Sequence, residues 1–131
     1  MKIYGIGTDI IRVSRIKNSL KKKSIKSRLF NKKEIVKCQK TKNNYNCYAK
    51  RFAAKEATSK ALGTGIKKGV YWKQIEVENL KSGKPVINLY GNAKTKLESL
   101  LPKNMTSNIL LTITDEKEYA QALVIIEALE K

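Results

Sequence analysis

Two acidic side chains stand in places where a carboxylate has to be accounted for. Asp9 lies in Ile6-Gly7-Thr8-Asp9-Ile10-Ile11, with apolar residues on both sides. A carboxylate there is costly to bury unless it is paired or bound to a metal. Glu56 lies in an alanine-rich segment that reads as a packed helix, and Phe52, Glu56 and Lys60 follow at intervals of four, which stacks them on one helix face. The helix then runs into Leu62-Gly63-Thr64-Gly65-Ile66. A carboxylate, an ammonium and a glycine loop thus meet within about two helical turns, a group able to hold a metal ion and a phosphate. Each piece alone has a plain structural reading, since a Glu/Lys pair at this spacing is a common surface contact and glycines after a helix cap it. Asp9 adds a second carboxylate, and Mg²⁺ typically takes one or two protein carboxylates together with substrate phosphate oxygens. Gly63-Thr64-Gly65 lacks the Gly-Lys-Ser/Thr ending of a Walker loop, which disfavours nucleoside triphosphate hydrolysis.

The elements that must position these groups follow from periodicity and turn signals. Ile3 to Ile11 suits a strand. Ser14 is placed to cap a helix carrying Ile16 and Leu20, and a basic helix is expected from about Asn31 to Thr41, with Ile35, Val36 and Cys38 inward. Asn43-Asn44-Tyr45-Asn46 reads as a loop, and Tyr48 to Leu62 gives the strongest helix signal, closed by Gly63. Val70, Trp72, Ile75 and Val77 suggest a strand with a break near Gln74. Ser82-Gly83-Lys84-Pro85 is a turn before a strand from Val86 to Tyr90. Asn92 to Leu101 reads as a helix, and Ile109 to Thr114 and Tyr119 to Ile126 as two strands. The order predicts one α+β domain over residues 1–131, a mostly antiparallel sheet packed with a long central helix.

The chain has 28 Lys/Arg against 11 Asp/Glu, a net charge of +17, with no histidine, and 41% of its residues are hydrophobic. That apolar fraction supports a real core, which excludes a disordered basic tail. Residues 1–60 hold 18 cations and 3 acids, net +15, and residues 61–131 hold 10 and 8, net +2, so the first half should attract a polyanion. Because 24 of the 28 cations are lysines, as AT-rich codon bias produces, charge alone does not choose the partner. No stretch approaches the roughly 20 apolar residues of a membrane span, and the start has no leader-like pattern, so an unexported, cytoplasmic protein without a membrane partner is expected. Cys38 and Cys47 have no histidine or further cysteine for a four-ligand zinc site, and both are expected to be reduced.

Gly5-Ile6-Gly7-Thr8-Asp9-Ile10-Ile11 with Arg15-Ile16, and Lys50-Arg51-Phe52-Ala53-Ala54-Lys55-Glu56-Ala57 through Ser59-Lys60-Ala61-Leu62-Gly63-Thr64-Gly65-Ile66, resemble the two signature blocks of the holo-[acyl-carrier-protein] synthases, the small 4′-phosphopantetheinyl transferases. Ile75-Glu76-Val77, Gly83-Lys84-Pro85 and Glu118-Tyr119-Ala120 through Val124-Ile125-Ile126-Glu127 extend the similarity over nearly the whole chain.

The resemblance implies that Asp9 and Glu56 hold Mg²⁺, that Lys60 contacts a coenzyme A phosphate, and that Lys50, Arg51, Gly63, Thr64 and Gly65 lie along the coenzyme A site. It implies that Arg15 and Arg28 belong to a docking face for an acidic acyl carrier protein; the nearby Lys22, Lys23 and Lys26 are expected to add to the attraction. Many family members carry a Ser/Thr-His pair on the penultimate strand, and here the corresponding residues are Thr114 and Asp115, followed by Glu116. That removes histidine as general base and leaves Glu56, acting through a water, or Asp115. The implied reaction moves the phosphopantetheine arm of coenzyme A to a carrier serine, with Asp9, Glu56 and Lys60 as the catalytic group. A homotrimer is implied as well. A nucleic-acid partner is not expected, because the aromatic residues do not form a basic stripe.

Overall fold

The computed structural model describes residues Met1–Lys131. In chain order the elements are β1 (Lys2–Arg12), α1 (Val13–Ser19), α2 (Lys23–Leu29), α3 (Lys32–Lys40), α4 (Asn44–Ala61), a 3₁₀ turn (Trp72–Gln74), β2 (Ile75–Asn79), β3 (Pro85–Leu89), α5 (Gly91–Leu100), β4 (Met105–Asp115) and β5 (Tyr119–Glu130). Strands β1, β5 and β4 form an antiparallel sheet in that spatial order, and β2 and β3 form a separate antiparallel hairpin. The α+β architecture expected from the sequence is therefore present.

Helix α4 lies across β1 and β5. The approach is close because both surfaces are small. Ala49, Ala53, Ala57 and Ala61 recur every four residues on α4, and β5 turns Ala120, Ala122, Val124, Ile126 and Ala128 toward the helix at strand spacing, all buried. One cluster of 24 buried residues runs from Ile11 to Ile126.

The N-terminus of α3 is fixed by a reciprocal cap: the Asn31 side chain accepts from the Glu34 amide at 3.0 Å, and Glu34 accepts from the Asn31 amide at 3.0 Å. The same Glu34 carboxylate is fully buried against Lys55 Nζ at 2.7 Å and also accepts the Val77 amide at 3.0 Å. One buried ion pair thus ties α3, α4 and β2 together. Burial pushes the Lys55 ammonium below its ordinary pKa, and Glu34 opposes the shift.

Several local expectations change. Helix α4 begins at Asn44, so the stretch read as a loop, Asn43 to Asn46, forms its first turn. Helix α2, which carries Arg28, has no counterpart in the reading from periodicity. Helix α1 starts at Val13 with Arg12 at its cap, and Ser14 makes no capping bond. Val36 points outward at 43% exposure. Cys38 and Cys47 are joined in a disulfide rather than reduced, because α3 and α4 fold back on each other through a short connection and bring the two Cα atoms to 5.4 Å. No helix is long and apolar enough to cross a membrane.

Candidate active site

Strand β1 can lie on α4 only because it carries glycines at the crossing. A Cβ on Gly5 would collide with the Ala61 carbonyl, and one on Gly7 with the Ala57 carbonyl. The strand therefore runs antiparallel to the helix with Gly5 near Ala61 and Gly7 near Ala57. Two strand residues advance about 6.6 Å, as far as about four helix residues, which carries Asp9 to the level of Ala53–Glu56. Asp9 shares the helix-facing side of β1 with Gly7 and Ile11.

Lys60 closes this crossing. Its ammonium donates to the Thr8 carbonyl at 3.0 Å and to Asp9 Oδ1 at 3.3 Å. The Asp9 side chain is only 16% exposed, whereas that of Lys60 is 51% exposed. Burial pushes the Asp9 carboxyl above its ordinary value of 3.8, against the pull of Lys60 and Arg15. The pair with Lys60 therefore does not fully offset the cost of burying the aspartate. One turn before Lys60, Glu56 Oε1 accepts the Trp72 indole N–H at 2.8 Å. Trp72 stacks on Phe52 with ring centroids 6.4 Å apart.

The glycine loop follows directly. Gly63, at φ +83°, ends α4 in the left-handed conformation that glycine adopts without strain. The amides of Thr64 and Gly65 both donate to the Ser59 carbonyl, at 3.2 and 3.1 Å. Those two donors are engaged inward, so the loop does not present them as a phosphate cradle. The Thr64 side chain is buried, and its hydroxyl donates to the Gly65 carbonyl at 2.7 Å.

Lys50 and Arg51 stand elsewhere. Lys50 lies ten residues before Lys60 on α4, about 15 Å along the axis, and faces Asp115 Oδ1 at 3.9 Å. Asp115 also accepts from the Asn46 amide at 3.1 Å. Arg51 is buried, donates to Asn79 Oδ1 at 2.6 Å, and keeps an Nε without a partner. Burial pushes its guanidinium pKa down. A cavity of about 470 Å³ lies here, lined among others by Lys37, Lys50, Arg51, Lys81 and Asp115. Arg15 is exposed on α1 and close enough for its charge to act on Asp9. Arg28 is exposed on α2 and lines a groove of about 530 Å³ together with Trp72 and Lys73.

The structure thus brings Asp9, Glu56, Lys60 and the Gly63–Gly65 segment to one end of α4 and sets Lys50, Arg51 and Asp115 toward the other. Sequence reasoning missed Trp72 at the first group and Asn46 and Asn79 at the second. Their contacts join distant segments, and no local pattern marks them.

The sequence profile of the 4′-phosphopantetheinyl transferase superfamily matches residues 5–124. The chain belongs to that superfamily. A holo-[acyl-carrier-protein] synthase of Rhizobium meliloti is 51% identical over 129 residues, covering 97% of this chain and 93% of the relative. Among solved structures, holo-[acyl-carrier-protein] synthase from Neisseria meningitidis superposes with a TM-score of 0.82 at 36% identity, over 95% of this chain and 98% of that one. The Bacillus anthracis synthase, in complex with CoA (3′,5′-ADP), gives 0.76 at 34% identity, over 96% and 97%. As a 4′-phosphopantetheinyl transferase this chain has two polar groups to account for, one toward the C-terminal end of α4 and one at its middle.

Proposed function

We propose that the protein transfers the 4′-phosphopantetheine arm of coenzyme A to a serine of an apo acyl carrier protein and releases adenosine 3′,5′-bisphosphate. The observation that carries the mechanism is the Asp9–Lys60 pair beside Glu56 at the crossing of β1 and α4. The serine oxygen forms a new bond to the phosphorus that bears pantetheine. The bond from that phosphorus to the bridging oxygen breaks, and the serine proton passes to a base. Charge collects on the departing phosphate, and stabilising it is the main catalytic task.

Lys60 suits that task, because its ammonium is half exposed and already directed at the crossing. The two carboxylates fit Mg²⁺: both offer hard oxygen donors, Asp9 is undercompensated, and Glu56 Oε2 has no protein donor. No group of three or more acidic, histidine or cysteine side chains gathers here, so phosphate and water oxygens would have to complete the coordination of the ion. Asp9 and Glu56 would hold it, and when bound it supplies charge neutralisation at the diphosphate. The serine proton passes either to Glu56 through a water or to Asp115, whose carboxylate also accepts from Asn46.

Arg15 and Arg28 offer cations to an acidic carrier on the same side as Asp9 and Trp72. A homotrimer belongs to the same reading. The β1–β5–β4 sheet turns Ile6 (65% exposed), Ile10 (60%), Leu110 and Leu123 away from α4, an apolar face that a second copy would cover. The continuous core supports reading residues 1–131 as one domain, and the cytoplasm is the proposed location.

The test is mass spectrometry of an apo carrier incubated with the protein, coenzyme A and Mg²⁺. Transfer adds the mass of the arm, about 340 Da by formula. An unchanged carrier mass would refute the activity.

A further inference from the structure

We infer that Trp72 is a positioning residue for Glu56, its indole N–H holding the carboxylate in the orientation that binds the divalent cation. The inference rests on the reading of Glu56 as a metal ligand. The indole donates to Oε1 at 2.8 Å, and no protein donor reaches Oε2, so the contact divides the carboxylate into a tethered oxygen and a free one.

Trp72 can impose an orientation because it is itself held twice. Its backbone carbonyl accepts from Lys55 Nζ at 3.0 Å, and Lys55 is fully buried on Glu34. Its ring stacks on Phe52 at an interplanar angle of 27°. Phe52, Lys55 and Glu56 all belong to α4, so the indole is fixed to the same helix that carries the carboxylate. An untethered glutamate would lose side-chain freedom on binding a cation, whereas here that freedom is already lost in the fold. Outer contacts of this kind typically change metal affinity by about 10- to 100-fold when removed.

Trp72 is the only tryptophan in the chain, so it supplies its own signal. Its single indole resonance in a ¹⁵N–¹H spectrum should shift when Mg²⁺ is added with coenzyme A present. In Glu56→Gln it should move upfield and cease to respond. Mn²⁺ affinity, read by electron paramagnetic resonance with coenzyme A and no carrier, should fall about 10-fold in Trp72→Phe. That variant keeps an aromatic ring on Phe52 and removes the donor. Benzothienylalanine at position 72 preserves the bicyclic shape, replaces N–H by sulfur, and should show the same loss if Trp72→Phe folds poorly. Wild-type Mn²⁺ affinity in both variants, with affinity lost in Glu56→Gln, overturns the positioning role and leaves the activity standing. Wild-type affinity in Glu56→Gln overturns the metal assignment itself, and this inference with it.

Discussion

Asp9 has a helix above it and, of the nearby charges, only Lys60 within bonding distance. Its raised pKa means that the ionised form present near neutral pH opposes folding. For such a group the favourable contribution is present below its ordinary value of 3.8 and is lost as pH rises through the folded value. Asp9→Asn should therefore raise the melting temperature of the metal-free protein by about 3 °C at pH 7 while reducing transfer at saturating Mg²⁺ by more than about 100-fold. Calorimetry and the transfer assay check the two halves separately. A lower melting temperature would mean that the pair with Lys60, half exposed and screened, outweighs desolvation. Asp9 was legible in the sequence because it interrupts an apolar run, and Glu56 and Lys60 because they share a helix face. Trp72 was not, because its bond to Glu56 depends on a turn that returns the chain to α4 after the glycine loop.

Helix α4 is held as firmly from behind as it is loaded in front. Lys55, adjacent to Glu56, points into the protein, where its only acidic contact is Glu34. Removing one partner of a buried ion pair typically costs about 3–5 kcal/mol, whereas replacing both is often close to neutral. Lys55→Met should destabilise the protein by about that amount in urea unfolding, and Glu34→Gln with Lys55→Met should cost less than the two single changes added. Additive effects would show that the pair contributes no coupling. Half of this element was readable beforehand: alanines at four-residue spacing announced α4, and the start of α3 near Asn31 was expected, though not the Asn31–Glu34 cap that fixes it. Helix α2 was hidden because only Ile25 and Leu29 mark an inward face among lysines and serines, and neither end has a side-chain cap. The cysteine pair was hidden for a related reason. Cys38 and Cys47 meet only if α3 and α4 reverse on each other, and the first turn of α4 begins inside a stretch of asparagines with poor helix propensity.

At the scale of the molecule, the Lys50–Arg51 group at the middle of α4 has to be related to the Lys60 group at its C-terminal end. The resemblance assigns Lys50 and Arg51 to the same ligand as Lys60, yet one chain keeps Lys50 about 15 Å from Lys60 along the helix. Either coenzyme A spans that length on one chain, or a neighbouring copy brings its Lys50 end to the Lys60 end. The apolar outer face of β1, β5 and β4 favours the second arrangement, because closing it around a threefold axis would place chains side by side. Mixing variants separates the two. Asp9→Asn disables one end, and Lys50→Glu, at a partly exposed side chain, disables the other. If each site draws its two ends from different chains, co-expressing the variants at equal levels assembles intact sites by chance in about one quarter of positions, and transfer should return to about a quarter of the wild-type rate. If one chain supplies both ends, no mixed assembly contains an intact site and the rate stays at the sum of the weak parents. Ile6→Lys placed in both variants should sediment as monomers and abolish the recovery, because it sets a charge on the face that copies would share. Recovery with the assembly still intact would show that the face between copies lies elsewhere, and recovery from monomers would show that the sites are not shared.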